Sequence, residues 1–139
     1  MKTRTRIWRR RDTRQGATAA EFAIVAPIFF LFIVVSFEFG RLNIIRHTAD
    51  NAAYEAARHG MVPGATAAEA IARANSILNI VGTRGAQVTI DPTTLGPDTE
   101  EVTVAVDIPL AQNGWIAPRF TGSHTMHAES TLKTERTGQ

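Results

Sequence analysis

The feature that most constrains this sequence of 139 residues is an apolar run near its N-terminus. Residues 22–39 read FAIVAPIFFLFIVVSFEF and contain one charged side chain, Glu38, close to the far end. A helix over residues 17–39 would be about 34 Å long, which is enough to cross a hydrocarbon core of about 30 Å. A helix buried in a soluble domain is rarely apolar on every face. The run therefore predicts a membrane-spanning helix over residues 17–40.

The charges on the two sides of the run predict its orientation. Residues 1–16 carry seven basic groups and one acidic group, which gives 7 − 1 = +6, and the remaining residues carry 8 − 12 = −4. Basic residues next to a span stay in the cytoplasm. We therefore expect a cytoplasmic leader over residues 1–16 and an extracytoplasmic domain over residues 41–139. A basic tip by itself would also suit a nucleic acid, but the apolar run that follows favours the membrane.

The residues that flank the run argue against an ordinary secretory signal. Such a signal has small residues after its apolar region, where it is cut, whereas this run ends in the bulky and charged Phe37, Glu38 and Phe39. The small residues come before the run instead, in the sequence GATAA at residues 16–20. The chain has no cysteine, so a disulfide framework and a thiolate metal site are both excluded.

One carboxylate, Glu21, stands at the cytoplasmic start of the apolar run. A charge at the centre of a bilayer costs about 2.5–3.5 kcal/mol on insertion scales, and the cost is smaller near the interface. Glu21 is therefore either a tolerated boundary charge or the partner of a cation inside the membrane. A chain that begins at Ala17 would supply that cation, because a free α-amino group has a pKa of about 7.7–8.0 and is largely protonated at neutral pH.

The residues from Gly16 to Phe22 resemble the class III signal of type IV prepilins. In that signal a membrane peptidase cuts after the glycine, and the mature chain has glutamate fifth and an aromatic residue sixth. The wider stretch over residues 16–60 resembles the TadE-like family, minor pilin-like proteins of tight-adherence (Flp) pilus systems. Further features that carry the resemblance are Pro27 and the exit that contains Glu38 and Arg41.

This resemblance implies a function and a set of partners. It implies insertion in the bacterial inner membrane, cleavage between Gly16 and Ala17 by the prepilin peptidase, and assembly with other pilins through Glu21 and Phe22. It implies no enzyme activity, cofactor, metal, nucleic acid or small-molecule substrate. The alternative is a signal-anchored envelope protein that stays uncleaved and whose outer domain binds a ligand.

The helix is predicted to continue past the membrane as far as Gly60, where Arg58 and His59 suit the negative end of its dipole. Apolar residues recur along this part at helical spacing, namely Leu42, Ile45, Ala49, Ala52 and Ala56. The stripe that they form would pack either against the chain's own sheet or against another pilin-like subunit.

A second helix and about three strands are predicted after Gly60. Thr66 and Glu69 read as a capping box that opens the helix, and Gly82 reads as its end. Strands are predicted at residues 87–91, 102–110 and 123–133. Together with the long first helix, these elements predict an α+β fold with an antiparallel sheet, pilin-like in outline.

The sequence lacks the residue patterns of a catalytic or metal site. His124 and His127 would point to opposite sides of a strand, so they could not share a metal ion. His47 and His59 are three turns apart on a helix, and surface histidines are predicted. Asp98, Glu100 and Glu101 are predicted in one turn, as a solvated acidic loop or, alternatively, a calcium site. We therefore expect no catalytic residues.

Overall fold

The structure, a computed structural model, describes residues 13–116, 119 and 123–133. Most of the predicted basic leader, residues 1–12, lies outside the described residues. The helices are α1 (Thr13–Gly60) and α2 (Ala67–Ile80), and the strands are β1 (Gln87–Asp91), β2 (Glu101–Pro109) and β3 (Thr125–Lys133). The strands form one antiparallel sheet in the order β1-β2-β3, so the predicted α+β fold is confirmed.

Helix α1 is 48 residues long and ends at Gly60, as predicted. It begins at Thr13, four residues before the start that the apolar run suggested. Its most apolar window of 18 residues has a mean hydropathy of 2.5 and is 6% buried. By length and composition, α1 therefore contains one segment that is able to cross a membrane.

The described residues up to Ser36 and those from Phe37 onward form two separate compact units. In the second unit, α1 changes character and buries small side chains. Its buried apolar residues are Ile45, Ala49, Ala52, Ala53, Ala56 and Ala57. They belong to the same core cluster as Val102, Val104 and Val106 of β2, so the predicted stripe packs against the chain's own sheet.

Helix α2 is capped at both ends by the residues that the sequence indicated. Thr66 Oγ1 accepts from the Glu69 N–H at 3.3 Å, and Glu69 Oε2 accepts from the Thr66 N–H at 2.9 Å, which completes the capping box. At the other end Gly82 has φ +67, a conformation that glycine adopts without strain. Its N–H donates to Asn79 O, which is one bond of a Schellman cap.

The sheet has one apolar face and one polar face. In β2 the even-numbered residues from 102 to 108 are buried, and Val104 lies opposite Ile90 of β1 and Ser130 of β3. Three details of the prediction are wrong. Strand β3 begins at Thr125 rather than at about residue 123, so His124 lies before the strand. Glu101 is the first residue of β2 rather than part of an acidic turn, since it pairs with Lys133. Leu110 begins a short 3-10 helix, so β2 ends one residue earlier, at Pro109.

Candidate functional site

The predicted cleavage position lies near the start of α1. Gly16, Ala17, Glu21 and Phe22 all belong to the helix and are exposed. A Cβ atom added at Gly16 would meet no heavy atom within 4 Å. No part of the described chain therefore covers this segment, and a membrane enzyme or a second subunit would have access to it.

Glu21 lies on the same face of α1 as Ala17, because residues four positions apart are neighbours on a helix. Their α-carbons are about 6 Å apart along the helix axis. Within the part of the chain that the structure describes, the Glu21 carboxylate takes part in no hydrogen bond or ion pair. An apolar helix that places a carboxylate in this position leaves the charge open to a partner from another chain.

Pro27 also lies inside α1 and is exposed. Proline has no backbone N–H, so the carbonyl of Ala23, four residues earlier, loses its usual donor. Spanning helices tolerate such a residue when neighbouring groups satisfy the freed carbonyl. Pro27 is therefore compatible with the spanning role predicted for this segment.

The second carboxylate of α1, Glu38, is buried, with 6% of its surface exposed. Its Oε1 accepts hydrogen bonds from the backbone N–H groups of Trp115 and Ile116, at 2.7 and 3.1 Å. These donors are 77 and 78 residues away in the sequence. Because both bonds end on one oxygen, Glu38 holds the loop after the 3-10 helix against α1.

Asn113 connects this loop to two other segments and is 1% exposed. Its Oδ1 accepts from the Arg84 N–H at 2.8 Å, and its Nδ2 donates to the carbonyls of Arg84 and Pro109 at 2.8 and 2.9 Å. Its own carbonyl accepts from Nε of Arg41 at 3.2 Å. The side chain of Asn113 thus joins the end of β2 to the loop after α2, and its backbone carbonyl adds helix α1.

Trp115 lies beside Arg41 and is 69% exposed. The guanidinium carbon of Arg41 is 5.6 Å from the centre of the Trp115 ring, within the range of about 6 Å for a cation–π interaction. We call Glu38, Arg41, Asn113 and Trp115 the exit cluster, because they meet where the apolar run of α1 ends.

A pocket of about 460 Å³ opens at the other end of the second unit. It is lined by residues 60–66 together with Leu95, Gly96, Pro97 and Thr99. None of the described residues that line it carries a charged side chain. The polar side chains among these described lining residues are those of Thr66 and Thr99, so the pocket offers a ligand few groups that would orient it.

His127 lies on the polar face of the sheet, where β2 and β3 place it opposite Asp107. Its Nδ1 is 2.8 Å from Asp107 Oδ1, and its Nε2 is 3.4 Å from Glu129 Oε2. Hydrogen bonding to Asp107, and then to Glu129, raises the pKa of His127 above its ordinary value of 6.5. Among the described residues, no group of three or more histidines and carboxylates is arranged to hold a metal ion.

The structure brings together some of the residues that the sequence singled out and not others. Glu38 and Arg41 meet in the exit cluster, whereas the remaining ones, Gly16, Ala17, Glu21, Phe22 and Pro27, lie exposed along the earlier part of α1. The sequence did not indicate Asn113 or Trp115 as partners of α1. The only signal for them was the Asn-Gly turn with an unusually apolar loop after it.

Three comparisons with known proteins bear on this site. The family model described as TadE-like protein matches residues 16–58. A search of curated proteins and a search of solved structures each found no match. The resemblance predicted from the motifs is therefore confirmed for the segment that begins at Gly16 and covers most of α1.

Proposed function

We propose that this protein is a minor pilin-like subunit that helps to assemble tight-adherence pili at a bacterial inner membrane. The proposal starts from the match of residues 16–58 to the TadE-like family model. The family match associates the chain with a pilus system, and α1 is long and apolar enough to anchor it. The proposed role is structural and involves no catalysis by the chain itself.

The observation that carries the proposal is the order of residues at the start of the family segment. Gly16 is followed by Ala17 and, after three more residues, by Glu21 and Phe22, all exposed on one apolar helix. Cleavage after Gly16 by the prepilin peptidase would remove the leader with its charge of 7 − 1 = +6. It would also leave an α-amino cation one helical turn before the Glu21 carboxylate.

The same cleavage supplies a reason for keeping a carboxylate in the membrane. Two opposite charges attract more strongly in a medium of low dielectric constant, although part of that attraction only offsets their desolvation. The Ala17 ammonium of one subunit would neutralise Glu21 of a neighbour when the two helices pack side by side. Glu21 thus favours a subunit neighbour over lipid alone.

The orientation follows from the positive-inside rule. Seven basic residues precede the apolar run, whereas Arg41 and Arg46 are the nearest ones after it. We expect a reporter that is active only in the periplasm to work when it is fused after Gln139. Activity of a cytoplasmic reporter at that position would instead reverse the orientation.

The first experiment tests cleavage by replacing Gly16 with leucine. We expect Gly16→Leu to accumulate as an uncut precursor, and the wild-type chain from membranes to begin Ala-Thr-Ala-Ala-Glu on N-terminal sequencing. Gly40→Leu is the matched control, because Gly40 is also in α1 and an added Cβ atom there also meets nothing within 4 Å. That variant should be cut normally.

Two results would count against this reading. Normal processing of Gly16→Leu would contradict a class III signal. An intact wild-type precursor at steady state would favour the alternative of a signal-anchored envelope protein, whose outer domain binds a ligand.

The second experiment tests Glu21 by removing its charge in Glu21→Gln. Membrane insertion should be normal or easier, because an ionised group in hydrocarbon is a cost. Cleavage should be nearly normal and piliation defective. Glu100→Gln, a change at an exposed carboxylate of the second unit, is the control and should leave piliation intact. Wild-type piliation in Glu21→Gln would reduce Glu21 to a boundary charge.

A further inference from the structure

The exit cluster combines an exposed aromatic ring with a firmly held backbone. Trp115 exposes 69% of its surface, yet its N–H and that of Ile116 are both bound to the buried Glu38. Most of the surface of this ring is therefore not packed against the core of the protein. A rigid, exposed and partly apolar ring is the kind of group that a contact surface presents.

The position of Glu38 fixes where this ring lies along α1. Glu38 is the one charged residue of the apolar run, near its far end, and Trp115 N is 2.7 Å from its side chain. When residues 17–37 cross a hydrocarbon core of about 30 Å, Glu38 reaches the headgroup region, which adds about 5–8 Å on each side. Residues 113–116, which we call the Trp115 loop, are then held at the same depth.

The charges around Trp115 fit a lipid surface. The Arg41 guanidinium lies over the ring, and the backbone of exposed Arg84 is bound to Asn113 in the same cluster. Tryptophan concentrates at membrane interfaces because its ring is apolar and its N–H is polar, and arginines near the surface bind anionic headgroups.

From these observations we propose that the Trp115 loop lies in the headgroup layer of the bilayer that α1 spans, with Trp115 and Arg41 as its lipid contacts and Glu38 as the positioning residue. The inference goes beyond the proposed function and requires only that α1 spans the membrane. It holds whether or not Gly16 is cut or pili form.

The test uses tryptophan fluorescence of the full chain in vesicles of phosphatidylcholine and phosphatidylglycerol. The chain has two tryptophans, so Trp8→Phe leaves Trp115 as the one tryptophan, which is excited selectively at wavelengths that Tyr54 does not absorb. Lipids that carry a nitroxide quencher near the headgroup or near the bilayer centre report the depth of the ring. Acrylamide in the buffer reports its exposure to water.

The control places a tryptophan further along the same helix. Tyr54 is 47% exposed and lies sixteen residues after Glu38, about 24 Å along α1. In Tyr54→Trp, with both natural tryptophans changed to phenylalanine, the ring should lie in water. We expect headgroup-labelled lipids to quench Trp115 several-fold more strongly than this control, and acrylamide to quench it several-fold less.

The positioning role of Glu38 has its own test. Glu38→Ala in the Trp8→Phe chain removes the acceptor of both loop N–H groups, so Trp115 should lose much of its shallow quenching and gain access to acrylamide. Equal quenching of Trp115 and of the Tyr54→Trp control would overturn the proposal, as would stronger quenching from the bilayer centre. Protection of Trp115 from acrylamide that appears only at a high ratio of protein to lipid would also overturn the proposal, because a second chain would then cover the ring.

Discussion

Replacement of Asn113 by alanine should strongly lower the stability of the second unit, although it removes only a small side-chain volume. Its side chain makes three hydrogen bonds of 2.8, 2.8 and 2.9 Å, and it is 1% exposed. Asn113→Ala removes all three bonds. Because the site is closed to solvent, water cannot readily take the place of the amide.

The size of the effect follows from the number of bonds. Each hydrogen bond contributes about 1 kcal/mol net, and a buried group left without a partner costs about 1–3 kcal/mol. We therefore expect Asn113→Ala to lower the free energy of unfolding by about 3 kcal/mol. Small domains are stable by about 5–15 kcal/mol, so this is a large share.

The assay is urea unfolding of the full chain in detergent micelles, followed by Trp115 emission in the Trp8→Phe background. With a urea dependence of about 1–3 kcal/mol per molar, a loss of about 3 kcal/mol lowers the midpoint by about 1–3 M. Asn75→Ala, a change at an exposed position of α2, should leave the midpoint nearly unchanged.

Asn113→Asp separates the hydrogen bonds from the volume of the side chain. Aspartate keeps an acceptor for the Arg84 N–H, but it places a second oxygen where Nδ2 now faces the carbonyls of Arg84 and Pro109. At neutral pH it should destabilise at least as much as alanine. Ordinary surface changes alter stability by about 0.5 kcal/mol or less. An effect of that size in either variant would contradict the predicted role of the Asn113 hydrogen bonds.

Three further predictions concern the second unit, each measured by the same unfolding assay. Thr66→Ala removes the acceptor for the Glu69 N–H at the start of α2, and the loss of such a cap should cost about 1 kcal/mol. Gly82 has φ +67 and an added Cβ atom there meets nothing within 4 Å, so Gly82→Ala should cost about 1–2 kcal/mol from backbone strain, and Gly96→Ala should not show this strain. The raised pKa of His127, caused first by its hydrogen bond to Asp107, favours the protonated form in the folded state. Its stabilising effect is therefore complete below the ordinary pKa of 6.5 and is lost as the pH rises through the folded value. The stability difference between wild type and His127→Gln should shrink with rising pH, and a difference independent of pH would contradict this.

The elements that the sequence predicted well are those determined by local patterns. The capping box of Thr66 and Glu69 and the glycine end at Gly82 depend on residues only a few positions apart. The strand at residues 87–91 follows from alternation and has the predicted bounds. Short-range periodicity is therefore enough to place α2 and β1.

The exit cluster was not predictable in the same way, because its contacts join distant parts of the chain. Glu38 and Trp115 are 77 residues apart, and Arg41 and Asn113 are 72 apart. The pair Asn113 and Gly114 is typical of a turn, which describes the backbone and says nothing of the Asn113 side chain. Nothing in the local pattern shows that the carboxylate at the end of an apolar run would accept from the backbone of a loop.

Helix α1 follows different composition rules on the two sides of Glu38, and this difference bears on how neighbours would contact it. Before Glu38 its large apolar side chains are exposed, as with Phe22 at 71%. After Glu38 its buried positions are mostly alanines, which allow the sheet to approach closely, and they are already occupied by the chain's own core. A neighbouring subunit cannot pack on the alanine stripe without unfolding this core, whereas the exposed apolar segment, where Glu21 is the charged residue, is open to it. Changes in the alanine stripe should act on stability, whereas a change at Glu21 should act on assembly and leave stability unaltered.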